Sequence, residues 1–467
     1  MSDRQAATAR AAALTPDICI IGAGPGGIAL ATSAAAFGVS VVLVERAAMG
    51  GTRLELRRAA LRAAAPRGDF AAAVAHVRRA ASALVANDSA ERMGALGVTV
   101  LKGEARFASR STVRVGDQEI KARRFVIATG SEPEPAAIPG LDDVRPLTFD
   151  TLLELPRCPE RLVVLGADAT AVALAQAVAR LGSAVSLVAA GTPLLPEEDP
   201  EAAGLVRRAL LREGLALYED VTITRIESGR GTARLVGSGA GQDALTVAGT
   251  HLLDVSGRKP AIAALDLDLA GVSFTARGVK VDASLRTRNR RIFAIGDCVD
   301  LGDGGRYGPG AASQASLVLR RLLFRLPTRF APHIAPRLVG STPEIASVGL
   351  SEAQARAAHK GITLLRWPYA ELAQAQAEGR SEGFLKIIAD SKGRVLGATI
   401  VGARAGDLIT PWCLAVQKGL KVQDMAGLIV PSPSFSEIST RAATSFYAPL
   451  ATRPGLRRLI GFLRRFG

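Results

Sequence analysis

The chain has 467 residues, enough for two to four domains, and its 48% hydrophobic and 22% charged residues describe a globular protein that folds around its own cores. Four cysteines (Cys19, Cys158, Cys298, Cys413) and four scattered histidines exclude a disulfide framework and a zinc cluster, so no metal is expected and a reducing cytoplasmic setting fits best. The formal charge of +15 is mostly arginine; it is read as compositional bias, with no nucleic-acid partner expected.

The N-terminus lacks the continuous apolar run of a signal peptide. Ile18-Cys19-Ile20-Ile21 then reads as a buried parallel strand. Gly22-x-Gly24-Pro25-Gly26-Gly27 follows and opens an Ala-rich helix, and Val41–Val44 is a second strand ending at Glu45. That order is the dinucleotide-binding fingerprint in its required context. Gly22 permits the tight turn, Gly24 lets a pyrophosphate approach backbone, and Gly27 lets helix meet strand. The helix N-terminus offers amide donors to phosphate, and Glu45 accepts from ribose hydroxyls.

The same unit recurs without a gap. Leu162–Leu165 is the strand, Gly166-Ala167-Asp168-Ala169-Thr170-Ala171 the turn, and Val185–Val188 the second strand, with Ala189 where Glu45 stood. Paired units of this kind mark flavoproteins with one fold for FAD and one for NAD(P)H. The second copy has lost its chemistry. Asp168 places a carboxylate in the pyrophosphate's seat, a repulsion of roughly 4 kcal/mol at ~4 Å and an effective dielectric near 20. Ala189 removes the ribose partner, which leaves NAD(P)H binding doubtful. The competing reading is a shifted cofactor pose with Asp168 turned to solvent.

Between and beyond the two units, further segments carry a family likeness. Gly50-Gly51-Thr52 is followed by Arg53 and, five residues later, Arg58. Arg124–Ile127 runs into Ala128-Thr129-Gly130, and Ile292–Ile295 into Gly296-Asp297. Pro336-Arg337 through Gly349-Leu350 opens a C-terminal region of alternating strand patterns. The chain resembles the class I pyridine nucleotide-disulfide oxidoreductases (dihydrolipoamide dehydrogenase, mercuric reductase, glutathione reductase) over nearly its whole length. The resemblance implies an α/β fold of two Rossmann-like dinucleotide-binding domains, FAD and NAD type, plus a C-terminal α+β dimerisation domain. It implies a homodimer and FAD held by Gly22, Gly24, Pro25, Gly26, Gly27, Glu45, Arg46, Gly51, Thr52, Thr129, Gly130, Gly296 and Asp297, the last on the flavin's ribityl chain.

In that family Gly-Gly-Thr is followed by Cys-x4-Cys. Here Arg53 and Arg58 occupy the two thiol positions, and Arg62 matches a lysine that approaches the flavin. The family's His-x4-Glu pair corresponds to Ser432 and Glu437, so thiols and base are lost together. Arg53, Arg58, Arg62 and Glu437 are the candidate catalytic residues. The arginines either bind an anionic or carbonyl-bearing acceptor or merely neutralise carboxylates such as Glu55 and Glu437. An intersubunit pair of Glu437 with Arg53 or Arg58 is expected. Cys298 is read as a packing residue.

Domain boundaries are expected at 1–148 with 275–326 for FAD, 149–274 for the degenerate NAD-type domain, and 327–467 for dimerisation. The segment 453–467 spaces Leu456, Leu459, Ile460 and Leu463 helically among four arginines. It either lies peripherally on the inner face of an anionic membrane or packs on its own dimer domain. Two functions stand open: an FAD-dependent oxidoreductase with a small non-disulfide electron acceptor such as a quinone, or a catalytically degenerate FAD-binding homodimer with a structural, sensing or partner-recruiting role.

Overall fold

Strand β1 (Ile18–Ile21) is apolar at every position because both of its faces are covered. Ile18 and Ile20 point into one core with helix α1 (Pro25–Ala36), while Cys19 and Ile21 point into another, a division that follows from the two-residue repeat of a strand. Strand β2 (Val41–Glu45), helix α2 (Leu54–Ala64), helix α3 (Phe70–Ala83), strand β3 (Val98–Lys102), strand β4 (Arg124–Ile127), strand β5 (Ile292–Ala294) and helix α4 (Ala311–Phe324) complete this layer. The five strands form one parallel sheet in the order β5-β4-β1-β2-β3. The structure is a computed structural model that describes residues 12–51, 53–229, 231–239, 242–302, 310–451 and 454–466.

The chain divides into two units. The first comprises the chain up to Ala136, Leu153–Arg157 and Val255–Pro332; the second comprises Ala137–Leu152, Cys158–Asp254 and His333 onward. The return to the first unit therefore falls at Val255, not near residue 275. The cause is a two-stranded ladder in which Arg258–Pro260 pairs antiparallel with Ser131–Pro133.

In the second unit, His251–Asp254, Arg161–Leu165 and Ala184–Ala190 run parallel at one end of a six-stranded sheet that continues through Ala216–Gly229 into the antiparallel strands Thr232–Gly239 and Gln242–Gly249. In a separate five-stranded sheet Val395–Gly402 pairs antiparallel with Glu344–Gly349 on one side and Phe384–Asp390 on the other, as the alternating patterns imply. Its core is built around fully buried Trp412, whose indole N–H donates to Ser439 at 3.1 Å.

Lys386 joins these two sheets' layers. Its ammonium meets Asp199 at 2.8 Å and Glu201 at 3.3 Å, with Lys386 and Asp199 side chains only 12% and 9% exposed. Asp199 also caps the helix Pro200–Arg212, accepting from the Glu201 and Ala202 amides. Replacing Lys386 with Ala strands a near-buried carboxylate that keeps only its amide donors. The expected cost is about 2–3 kcal/mol, measured by urea unfolding, and an unchanged midpoint would remove this pair from the list of stabilising contacts.

Candidate functional site

At the carboxyl end of β1 the chain turns through Gly22, at φ +106°, where a Cβ would collide with the Ala128 carbonyl. A Cβ on Gly27 would collide with the Gly22 carbonyl, so helix and strand touch through bare backbone. Gly24 is different: a Cβ there would meet nothing within 4 Å. It is the N-cap of α1 and supplies no side-chain acceptor, so the first amides of that helix face open space. Pro25 takes the first helical position and Gly26 packs on Ala311, while Gly51 packs against the Gly24 backbone. Thr52 lies outside the described residues.

Glu45 is fixed by two backbone donors, the Ala23 amide at 2.7 Å and the Ala47 amide at 2.8 Å. With Gly22, Arg46 and Thr129 it lines a cavity of about 230 Å³, and Arg46 pairs with Glu132 at 3.4 Å. Open space over Gly24, uncapped amides and an oriented carboxylate fit a dinucleotide: the amides would take its pyrophosphate and Glu45 its ribose.

Gly130 and Gly296 both turn at positive φ, and the Gly296 amide donates to buried Gln314 at 2.7 Å. The neighbouring Asp297 carboxylate accepts from the Ser131 hydroxyl at 3.0 Å, and Ser131 is held in turn by Arg258 at 2.9 Å. Burial pushes the Asp297 carboxyl above its ordinary range, against the pull of Ser131 and Arg258. The charges of Glu55 and Arg58 also reach it, with opposite signs. Ser131, Arg258 and Gln314 were not foreseen; they lie far from Asp297 and Gly296 in sequence, so no spacing signals them. Cys298 is buried, donates to the Ile295 carbonyl at 3.2 Å, and burial pushes its thiol up to about 11. It packs and does not react.

The arginines have found partners within the chain. Arg53 sits at φ +46° as the N-cap of α2, an uncommon conformation for a side-chain-bearing residue. Its guanidinium meets Asp88 at 2.9 Å and the Ala81 and Leu84 carbonyls at 3.3 and 3.4 Å. Those carbonyls belong to the C-terminal end of α3, so Arg53 also answers that helix's negative pole. The donors of Arg53 are thus taken up within the chain, as in the alternative in which the arginines neutralise carboxylates. Arg58 meets Glu55 at 2.9 Å, as the neutralising alternative expected. Arg62 lies half-buried in the last turn of α2.

Glu437 is also satisfied locally. Ser432 donates to it at 2.9 Å, the Ser434 amide at 3.2 Å and Arg441 at 2.9 Å. The bonds from Arg441 and Ser432 hold its carboxyl below the usual range. An intersubunit pair with Arg53 or Arg58 rested on each group lacking a counter-charge, and that premise fails for all three. Ser432 has taken over the bond to this carboxylate rather than leaving it bare.

In the second glycine turn Asp168 is the N-cap of the helix Ala169–Arg180, and its carboxylate accepts from the Ala171 amide at 2.9 Å. Asp168 is at the same time exposed, as in the competing reading, with its carboxylate held on the helix's own amide. Ala189 is fully buried.

Residues 16–317 match the family described as pyridine nucleotide-disulphide oxidoreductase, and residues 335–443 match its dimerisation domain. A mercuric reductase of Bacillus cereus is 31% identical over 453 residues, covering 92% of this chain and 71% of its own length. Dihydrolipoyl dehydrogenase 3 of Pseudomonas aeruginosa is 30% identical over 456 residues, covering 91% and 97%. The HOCl-induced flavoprotein disulfide reductase RclA of Escherichia coli, in its copper(II) complex, superposes with a TM-score of 0.83 at 26% identity, covering 92% and 99%.

Two outcomes follow from this geometry. Asp168→Gly frees the Ala171 amide and removes the charge, so calorimetry should show tighter NAD(P)H binding than in the parent; equal affinity would clear Asp168 of blame. Its stability cost is only a few tenths of a kcal/mol, against about 1 kcal/mol for Asp168→Ala. Arg53→Ala should cost about 2–3 kcal/mol by chemical denaturation, partly recovered by adding Asp88→Asn, while the reoxidation rate of reduced flavin stays unchanged. A fall in that rate at unchanged stability would return Arg53 to the chemistry.

Proposed function

The chain belongs to the pyridine nucleotide-disulphide oxidoreductase family, and on that premise we propose that it is an FAD-dependent oxidoreductase whose electron acceptor is not a disulfide. Members of this family such as mercuric reductase and lipoamide dehydrogenase are FAD-dependent, with NAD(P)H as substrate. The dimerisation-domain match supports a homodimer.

The observation that carries the proposal is the pair of arginines at the thiol positions. A guanidinium cannot exchange with a disulfide, and Cys19, Cys158, Cys298 and Cys413 are all free. Cys19 and Cys298 are buried with raised pKa, which removes their thiolate character. FAD in the seat over Gly24 supplies two-electron redox chemistry. Around it the chain's own groups hold Asp297 through Ser131 and Arg258, whose guanidinium brings positive charge to the same segment. Positive charge there favours an acceptor that gains negative charge, such as a quinone carbonyl oxygen.

Peripheral membrane contact belongs to the same reading. The helix Pro454–Leu463 buries none of its residues in the described chain, and Leu459, Ile460, Phe462 and Leu463 are about half exposed beside Arg458 and Arg464. No helix among the described residues is long and apolar enough to cross a membrane. A second reading, the degenerate FAD-binding homodimer, is favoured by the Asp168 carboxylate seated on the amide a nicotinamide dinucleotide would need.

Purified protein should carry one FAD per chain. After anaerobic reduction with dithionite, benzoquinone should reoxidise the flavin far faster than oxidised lipoamide or glutathione disulfide does. Reduced flavin indifferent to benzoquinone would sink the acceptor class and leave the degenerate reading. Bleaching by NADH or NADPH reports separately on the second nucleotide seat.

A further inference from the structure

The parallel sheet of the first unit has two edges, and the dinucleotide seat uses only the carboxyl ends of its strands. The amino ends carry a dense set of arginines. Arg124 begins β4, Arg290 precedes β5, Arg321 lies in the last turn of α4 and Arg325 caps that helix. With Arg123 and Arg286 they line a cleft of about 680 Å³, within the size range of small-ligand sites.

Arg123 is paired to Asp17 at 3.0 Å and Arg286 to Asp282 at 3.4 Å. Arg124, Arg290, Arg321 and Arg325 have no carboxylate partner among the described residues. The C-termini of α1 and α4 end at this edge and offset roughly half a charge each, which leaves a net charge of about +3. Burial, together with the charges of Arg123, Arg291 and Arg325, pulls the Arg124 guanidinium below its ordinary range. Like charges held together at this density oppose one another unless an anion lies between them.

The rim is aromatic. Phe37 and Phe324 meet edge to face, 5.3 Å between centroids, and both stay more than half exposed. From this juxtaposition we propose that the cleft is a binding site for a small oligophosphate, of the class of a nucleoside triphosphate, separate from the FAD and NAD-type seats. The unpaired guanidiniums match the charge of three linked phosphates, and Arg is the side chain suited to phosphate oxygens. The two rings give a planar base an apolar face. A nucleic-acid duplex fits less well, since it needs a long basic track and not one compact cleft.

The test uses FAD-loaded protein, so that the dinucleotide seat is filled, and titrates inorganic tripolyphosphate and ATP by calorimetry at low salt. One saturable site per chain is expected, weakened about tenfold or more in Arg124→Gln/Arg325→Gln. These side chains are exposed, so the variant should retain the parent's flavin content. The exposed Arg79→Gln, which removes charge elsewhere on the unit, should bind as the parent does. Absence of a saturable site, equal affinity in the double variant, or an equal loss in Arg79→Gln would overturn the proposal. So would a dependence on Arg124 and Arg325 seen only with duplex DNA or phosphatidylserine vesicles and not with tripolyphosphate.

Discussion

The first amides of an α-helix carry positive partial charge and must find an acceptor, and the molecule answers that demand in two opposite ways. Helix α1 begins at Gly24, which offers none, and leaves its amides to a ligand. Its duplicate begins at Asp168, which supplies a carboxylate from within the chain. The same fold element is thereby an anion seat in one copy and a closed, self-capped helix in the other. The two dinucleotide-type units differ at this cap.

A second constraint is that withdrawn guanidiniums need partners. Arg53 and Arg58 replace small thiols with long cations, and each has been met nearby, by Asp88 and Glu55. Arg53 accepts an unfavourable backbone conformation and recovers it through the ion pair and the carbonyls closing α3. In the C-terminal segment, Ser432 and Arg441 satisfy Glu437. The residues that replaced the disulfide machinery are stitched into local structure. What remains near Asp297 is a polar setting built by Ser131 and Arg258.

A parallel sheet presents chemically different edges, because all its strands end together. At the carboxyl edge glycines bare the backbone; at the amino edge arginines crowd beyond what Asp17 and Asp282 can neutralise. Neither edge obstructs the other, so one unit can hold a dinucleotide and still offer a second anion site.

The sequence by itself determined the duplicated strand–glycine–helix units and the absence of the family's thiols and histidine, since these depend on residue type at short fixed spacings. Apolar runs such as Ile18–Ile21 and Val41–Val44 could only be doubly covered strands. Tertiary structure alone decided which carboxylate each arginine meets, because Asp88 reaches Arg53, and Ser131 reaches Asp297, across long stretches of chain. It also decided the return at Val255, which is set by a strand pairing with no local signature. The arginine cleft was equally invisible, scattered as Arg124, Arg290 and Arg325 among a general excess of arginine. Only folding gathers the amino ends of parallel strands onto one edge, and charge becomes a site only when it is gathered.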